Sequence, residues 1–434
     1  MCYGKGVMKC FRGDFINQRF AEFIGGNGMK NVLVAQSGGP TAAINATLVG
    51  VLQGAREGKE VSRVYGARNG IEGAIKGNVI DLTEILTDET ALEELTHTPS
   101  SALGTCRYKM KDWRVNEEPY LKILETFKKY EINCFVYIGG NDSMDTVNQL
   151  SAYCKLKDYD VMIMGAPKTV DNDLNLTDHC PGFGSAAKYI ATTISELACD
   201  IGAYDIPAVT IVEIMGRNAG WLTAAAALPR LNDTPGADLI YLCEKPFEIA
   251  TFLKDVREQL SRKQGILVAV SEGIHDSEGV YISEHTSSGE VDNFGHKYIA
   301  GAAIALEHII RKEIGCKVRS IELNLMQRSA AHIASQSDIS ESIMLGKTAI
   351  TSALTGETGR MAAVNRVSNS PYRVEYVTVP VSEVANAEKK VPENWITEDG
   401  HDVTEEMMEY LKPLIQGETA IKYKNGIPVI KKLY

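Results

Sequence analysis

An α/β fold with parallel-rich sheets and crossover helices is predicted for this 434-residue chain by three observations. Short apolar runs rich in Val and Ile alternate with segments of helical spacing, the pattern of parallel strands joined by helices. Several of these runs end in glycine and polar residues, as strands do where they open onto a ligand cleft. The length and a 44% hydrophobic content suffice for two domains with a sizeable core.

Taken in order, residues 1–28 mix charge and aromatics without the apolar stretch of a signal peptide, so they are expected as an extension outside the fold. Strands are expected at 31–36 (NVLVAQ), 134–139 (CFVYIG), 160–165 (DVMIMG), 208–214 (AVTIVEI), 238–242 (DLIYL) and 265–271 (GILVAVS). A helix should open at about Thr41, after the glycines of SGGPTAAINA. A second should cover 184–202, because Ala187, Ile190, Ile194, Leu197, Ala198 and Ile201 recur at three- and four-residue intervals. Near the end, 403–414 reads as an acidic helical segment and GIPVIKKLY as a proline-broken extended run.

The formal net charge of -11 argues against a broad basic surface for nucleic acid or anionic membrane. No apolar run approaches the ~18 residues that cross a bilayer. Nine cysteines without a CxxC pair read as reduced thiols packed in a cytoplasmic protein. The eight histidines show no paired ligand spacing. His179 alone has suggestive neighbours, and it is not taken as a ligand.

The residues just beyond the strands carry the chemistry: SGGPTAA, GGNDS, APKTVDND, MGRNAG and SEG, five clusters expected to share one cleft. Glycines at a strand-to-helix turn let backbone N–H groups face an anion, although such a turn is also plain architecture. PKTVDND is more specific. It offers carboxylates (Asp171, Asp173) to take a proton or face a divalent metal, and a cation (Lys168) for a transferring phosphoryl group. An Asx-rich turn is the bland alternative. Arg217 of MGRNAG, and Arg319 and Arg328 of RSIELNLMQR, add guanidinium forks suited to phosphate.

With these motifs in this order from about Lys30 to about His332, the chain resembles the phosphofructokinase family. The resemblance implies two Rossmann-like domains with the active site in the cleft between them, magnesium as cofactor, and a homodimer or homotetramer. It implies a donor domain over 29–176, with part of 329–385, and a sugar-phosphate domain over 177–328, with part of 386–434. Carried over by position, Asp171 is the proton acceptor for the sugar hydroxyl. Thr169, Val170, Met215, Gly216, Arg217 and Glu272 are substrate contacts, and Arg319 and Arg328 clamp the 6-phosphate. Gly39, Arg107 and Lys168 face the donor, while Asn141 and Asp173 stand at the metal end. Asn141 replaces an acidic residue of the ATP-using members, Leu325 stands where many bacterial members have His, and Ala208 where a neighbouring subunit's Arg reaches across. Lys297 is a candidate substitute for the missing cations.

Asp142 occupies the second glycine position of the family's GGDG turn, where a nucleotide would pass its α-phosphate and ribose. Like-charge repulsion there is worth on the order of several kcal/mol in a partly desolvated cleft. With Lys168 in place of a glycine, Asp142 marks the pyrophosphate-using members. The resemblance therefore implies reversible phosphorylation of fructose 6-phosphate by pyrophosphate, with Asp142 and Lys168 counted beside Asp171 in the catalytic set. The alternatives are an ATP-dependent phosphofructokinase, a lipid or NAD kinase, and a silent regulatory subunit.

Overall fold

The computed structural model describes residues 29–203, 205–285 and 301–434. The extension 1–28, Cys2, Cys10 and Lys297 lie outside the described residues.

Among the described residues two main sheets form. The first has seven strands in the order β11-β10-β5-β4-β1-β2-β3. These are β1 (Lys30–Gln36), β2 (Val61–Ala67), β3 (Val79–Asp81), β4 (Ile132–Gly139), β5 (Met162–Pro167), β10 (Arg360–Asn369) and β11 (Tyr372–Pro380). Its centre is parallel, while β3 and β11 pair antiparallel at the two edges. The second sheet is all parallel, in the order β7-β8-β6-β9, from β6 (Ala208–Ile214), β7 (Leu239–Tyr241), β8 (Gly265–Ser271) and β9 (Lys317–Glu322). β6 and β8 are buried along their whole length, which is why they read as mostly apolar runs rather than alternating ones.

The six expected strands are present, displaced by two residues at β5. β2, β3, β9 and the β10–β11 hairpin were not foreseen; they carry charge or alternate in polarity, as edge and near-edge strands do. The helix expected at Thr41 is α1 (Ile44–Glu57), which starts three residues later because Thr41 Oγ1 accepts from Ala43 N–H and holds a turn. The acidic segment forms a helix over Glu405–Leu411, followed by a 3-10 turn.

α2 (Asn141–Leu156) follows β4, and α3 (Phe183–Gly202) starts on a cap borrowed from far along the chain. Asp338 accepts from the N–H groups of Gly182 (2.9 Å) and Ser185 (3.0 Å), which satisfies donors that a helix start leaves open. α4 (Gln336–Leu354), which contains Asp338, packs on α1 at backbone contact. A Cβ on Gly50 would lie 2.0 Å from the Ile343 carbonyl oxygen, and one on Gly346 2.1 Å from that of Thr47. The chain thus returns from the second sheet to the first, where β10 extends it beside β5. The seven described cysteines are all free thiols, and among the described residues no helix is long and apolar enough to cross a membrane.

Candidate active site

The carboxyl ends of β1, β4 and β5 in one sheet and of β6 and β8 in the other open onto a single cleft of about 920 Å³. All five glycine-polar clusters contribute to its wall: Ser37–Gly39, Gly140–Ser143, Lys168 to Asp173, Arg217–Ala219 and Glu272.

At the first turn Gly38 has φ +76, a left-handed conformation that glycine adopts without strain. A Cβ there would come within 2.9 Å of Lys168 Nζ, and one on Gly39 within 2.9 Å of an Arg328 guanidinium nitrogen. Two cations therefore crowd onto this one turn. Lys168 is 3% exposed, and burial pulls its ammonium down to about 8 against the opposing pull of Asp171 and Asp173. Arg107 is near enough to Arg328 for their charges to repel, so this end of the cleft is built for a polyanion.

The PKTVDND loop projects its carboxylates because of the residue between them. Asn172 is fully buried at φ 55, donates to Tyr410 Oη (2.9 Å) and accepts from Cys180 N–H (3.0 Å). That anchor turns Asp171 and Asp173 into the cleft. Burial raises Asp171 to about 7, helped by the charges of Asp173 and Glu272. Asp173 is raised for the same first reason, and its Oδ1 is buried without a hydrogen-bond partner. Thr169 Oγ1 accepts from Asp171 N–H at 3.1 Å and braces the loop. On the far wall Glu272 accepts from Gly216 N–H (3.4 Å), and its carboxyl is likewise raised by burial.

The other expected site residues differ in how they stand relative to the cleft. Arg319 is exposed on the edge strand β9, opposite Thr210 near the start of β6, so the fold carries it away from the strand ends that form this chain's cleft. Arg328, expected at the sugar phosphate, lines the cleft with its guanidinium over Gly39, because the short helix Met326–Ser329 leads the chain back to the first turn. Val170 is buried in the core, and the backbones of Met215 and Gly216 are hydrogen-bonded to neighbouring side chains. Met215 N–H donates to Gln327 Oε1, and the Gly216 carbonyl accepts from the Ser271 hydroxyl. Asn141 lines the cleft, and its amide is hydrogen-bonded at both atoms to residues 386 and 387. His179 is buried between Asp178 and Glu341, a structural position.

Other lining residues were missed. Lys109 forms an ion pair with Asp142 at 3.3 Å on the open rim; it lies two residues beyond Arg107 in GTCRYK, where lysine had no distinguishing pattern. Asn386 and Glu388 reach the cleft from some 215 residues beyond the PKTVDND loop, without a local motif. Among the described residues no set of three or more His, Cys, Asp or Glu side chains is arranged to hold a metal ion by itself.

Comparison with known proteins agrees with this arrangement. The phosphofructokinase family model matches residues 31–353. The chain is 41% identical over 401 residues to pyrophosphate--fructose 6-phosphate 1-phosphotransferase of Xanthomonas campestris pv. campestris, covering 92% of this chain and 94% of that protein. It is similar to the crystal structures of pyrophosphate-dependent phosphofructokinase from Nitrosospira multiformis (36% identity, TM-score 0.83) and Marinobacter aquaeolei (37%, 0.82). Each alignment covers 93% of this chain and 96% of the other. With its paired sheets, converging strand ends and near full-length likeness to these proteins, the chain belongs to the phosphofructokinase family.

Proposed function

We propose that the enzyme transfers a phosphoryl group reversibly between pyrophosphate and the 1-hydroxyl of fructose 6-phosphate. The observation that carries the choice of donor is Asp142 on the cleft rim, tied to Lys109 across the path a nucleotide would take, while Lys168 is buried at the glycine turn beneath. Relatives about 40% identical over more than nine-tenths of their length bear the name of this reaction.

In the forward direction Asp171, ionised, accepts the proton of the sugar 1-hydroxyl. The hydroxyl oxygen attacks the near phosphorus of pyrophosphate, the bridging P–O bond breaks, and inorganic phosphate leaves. In reverse the protonated Asp171 returns its proton. Lys168 and Arg328, both at the Gly38–Gly39 turn, offset the negative charge of the donor and of the transferring group. Arg217 and Glu272 on the opposite wall hold the sugar phosphate and a sugar hydroxyl. The residues present fit magnesium: the orphaned Oδ1 of Asp173 gives it a carboxylate, within the usual protein share of one or two for an ion completed by phosphate oxygens and water. When bound, magnesium neutralises phosphate oxygens. The first sheet with its hairpin forms the donor domain and the second sheet the sugar domain. The enzyme works in the cytoplasm as a homodimer or homotetramer, and the exposure of Arg319 on its edge strand supports a role for it at a neighbouring subunit's sugar-phosphate site.

Initial rates with pyrophosphate and with ATP, each with fructose 6-phosphate and magnesium, test the proposal. Wild type should turn over with pyrophosphate alone, and Asp142→Gly should admit ATP at the expense of pyrophosphate. Preference of wild type for ATP overturns the donor assignment.

A further inference from the structure

Asn141 and Asn218 stand on opposite walls of the cleft, and one segment, Asn386–Lys389, touches both. Asn141 reads the backbone of that segment with both ends of its amide. Its Oδ1 accepts from Asn386 N–H and its Nδ2 donates to the Ala387 carbonyl, each at 2.8 Å. The next residue, Glu388, pairs its backbone with Leu174, and its Oε1 accepts from Asn218 Nδ2 at 2.8 Å. Lys389 then fastens the far end. Its N–H donates to the Asp173 carbonyl (2.8 Å), its ammonium to the carbonyls of Thr177 (3.1 Å) and Asp178 (2.6 Å), and its carbonyl accepts from the Trp221 indole (2.9 Å).

The chemistry of each contact restricts the residue. An amide accepts from one backbone group and donates to the next, whereas aspartate at 141 would keep the first bond and set a negative charge against the Ala387 carbonyl oxygen. The strap thereby gives a reason for asparagine at 141 that does not involve a metal. Glu388 is a carboxylate on the wall of a cleft made for polyanions, where a free negative charge would weaken binding. Its oxygen is committed to Asn218, the neighbour of Arg217, which suits a residue that holds another in place.

We propose that the strap Asn386–Lys389 is a positioning element of the reaction. Clasped by Asn141 on the donor wall, it sets the distance of Asn218 and Arg217 from the Asp171–Asp173 loop, so a change on the donor wall is felt at the sugar phosphate. The inference rests on the proposed roles of the two walls, donor on one and sugar phosphate on the other. Small errors in such a distance are costly, since a misplacement of about 1 Å can lower a rate on the order of 100-fold.

Four variants in the full-length enzyme test it: N141A, N141D, E388A and E388Q. The readouts are hydrogen exchange at the amides of Asn386 and Lys389, KM for each substrate beside kcat, and binding of Mn2+ alone followed by its electron paramagnetic resonance signal. N141A should speed exchange at Asn386, and both Asn141 variants should raise KM for fructose 6-phosphate about 3- to 10-fold, the scale of a lost neutral hydrogen bond or two. E388A should raise the same KM, and E388Q, which keeps an acceptor for Asn218, should recover most of the loss. Mn2+ binding should be no tighter in N141D than in wild type. The proposal is overturned by unchanged exchange at Asn386 in N141A, by faster exchange with KM for fructose 6-phosphate unaltered, or by tighter Mn2+ binding in N141D. Exchange and Mn2+ binding need no turnover, so the absence of pyrophosphate activity in wild type would sink the functional reading and leave the clasp to be judged by itself.

Discussion

Asp171 and Lys168 are three residues apart and shifted toward each other by the same cause, since burial penalises the charge of each. A carboxyl raised to about 7 is a stronger base than a surface aspartate, and it remains ionised for a useful fraction of time near neutrality. Asp171→Asn removes the acceptor with little change of shape. We expect kcat to fall by about 100-fold or more, with the affinity for fructose 6-phosphate, measured by equilibrium titration, far less affected. A variant with near wild-type kcat would remove Asp171 from the role of base. Sequence motifs identified both residues, because their chemistry is local to one loop. The position of Arg328 was not legible in that way: its motif marks an arginine suited to phosphate, but its place over Gly39 depends on a turn almost 290 residues earlier.

At the scale of elements, the contact between α1 and α4 determines whether the late part of the chain docks on the first sheet. Gly50 and Gly346 let the two backbones touch, and a methyl group on either would overlap a carbonyl oxygen. Gly346→Ala should destabilise the fold by about 3 kcal/mol, the scale of overpacking that the backbone cannot relieve by a side-chain shift. Gly202→Ala serves as the control. A Cβ there meets nothing within 4 Å, so the exchange should be neutral or slightly stabilising. Urea denaturation of both variants checks the pair, and equal midpoints would show that the helices separate without cost. Periodicity in the sequence located α3 almost to the residue because its buried face repeats every turn. The same periodicity is uninformative about α4, whose close approach depends on glycines rather than on large apolar residues.

At the scale of the whole molecule, activity should respond to pH through Asp171 and Lys168 in opposite directions. Below about 7 Asp171 is protonated and cannot accept a proton; above about 8 Lys168 is neutral and cannot offset phosphate charge. The kcat/KM in the forward direction should therefore fall on both sides of a narrow maximum between these values. Lys168→Arg keeps its charge far into the alkaline range. The alkaline limb should move up in that variant while the acid limb stays, and an unmoved alkaline limb would show that another group causes it.

The alternation of apolar runs and helical spacing, and the motif at each strand end, determined the α/β class, the family and most of the catalytic loop. These features depend on neighbours close in the chain, so one-dimensional pattern carries them. Tertiary structure alone decided which motifs face one another: that Lys168 and Arg328 meet over one glycine turn, that Arg319 stays on an exposed edge, and that Asn141 spends its amide on a strap 245 residues away. The physical reason lies in the ranges of the forces. Backbone propensity and strand-end geometry act over a few residues, whereas a hydrogen-bonded amide or a packed glycine depends on a partner that only the folded chain brings within about 3 Å.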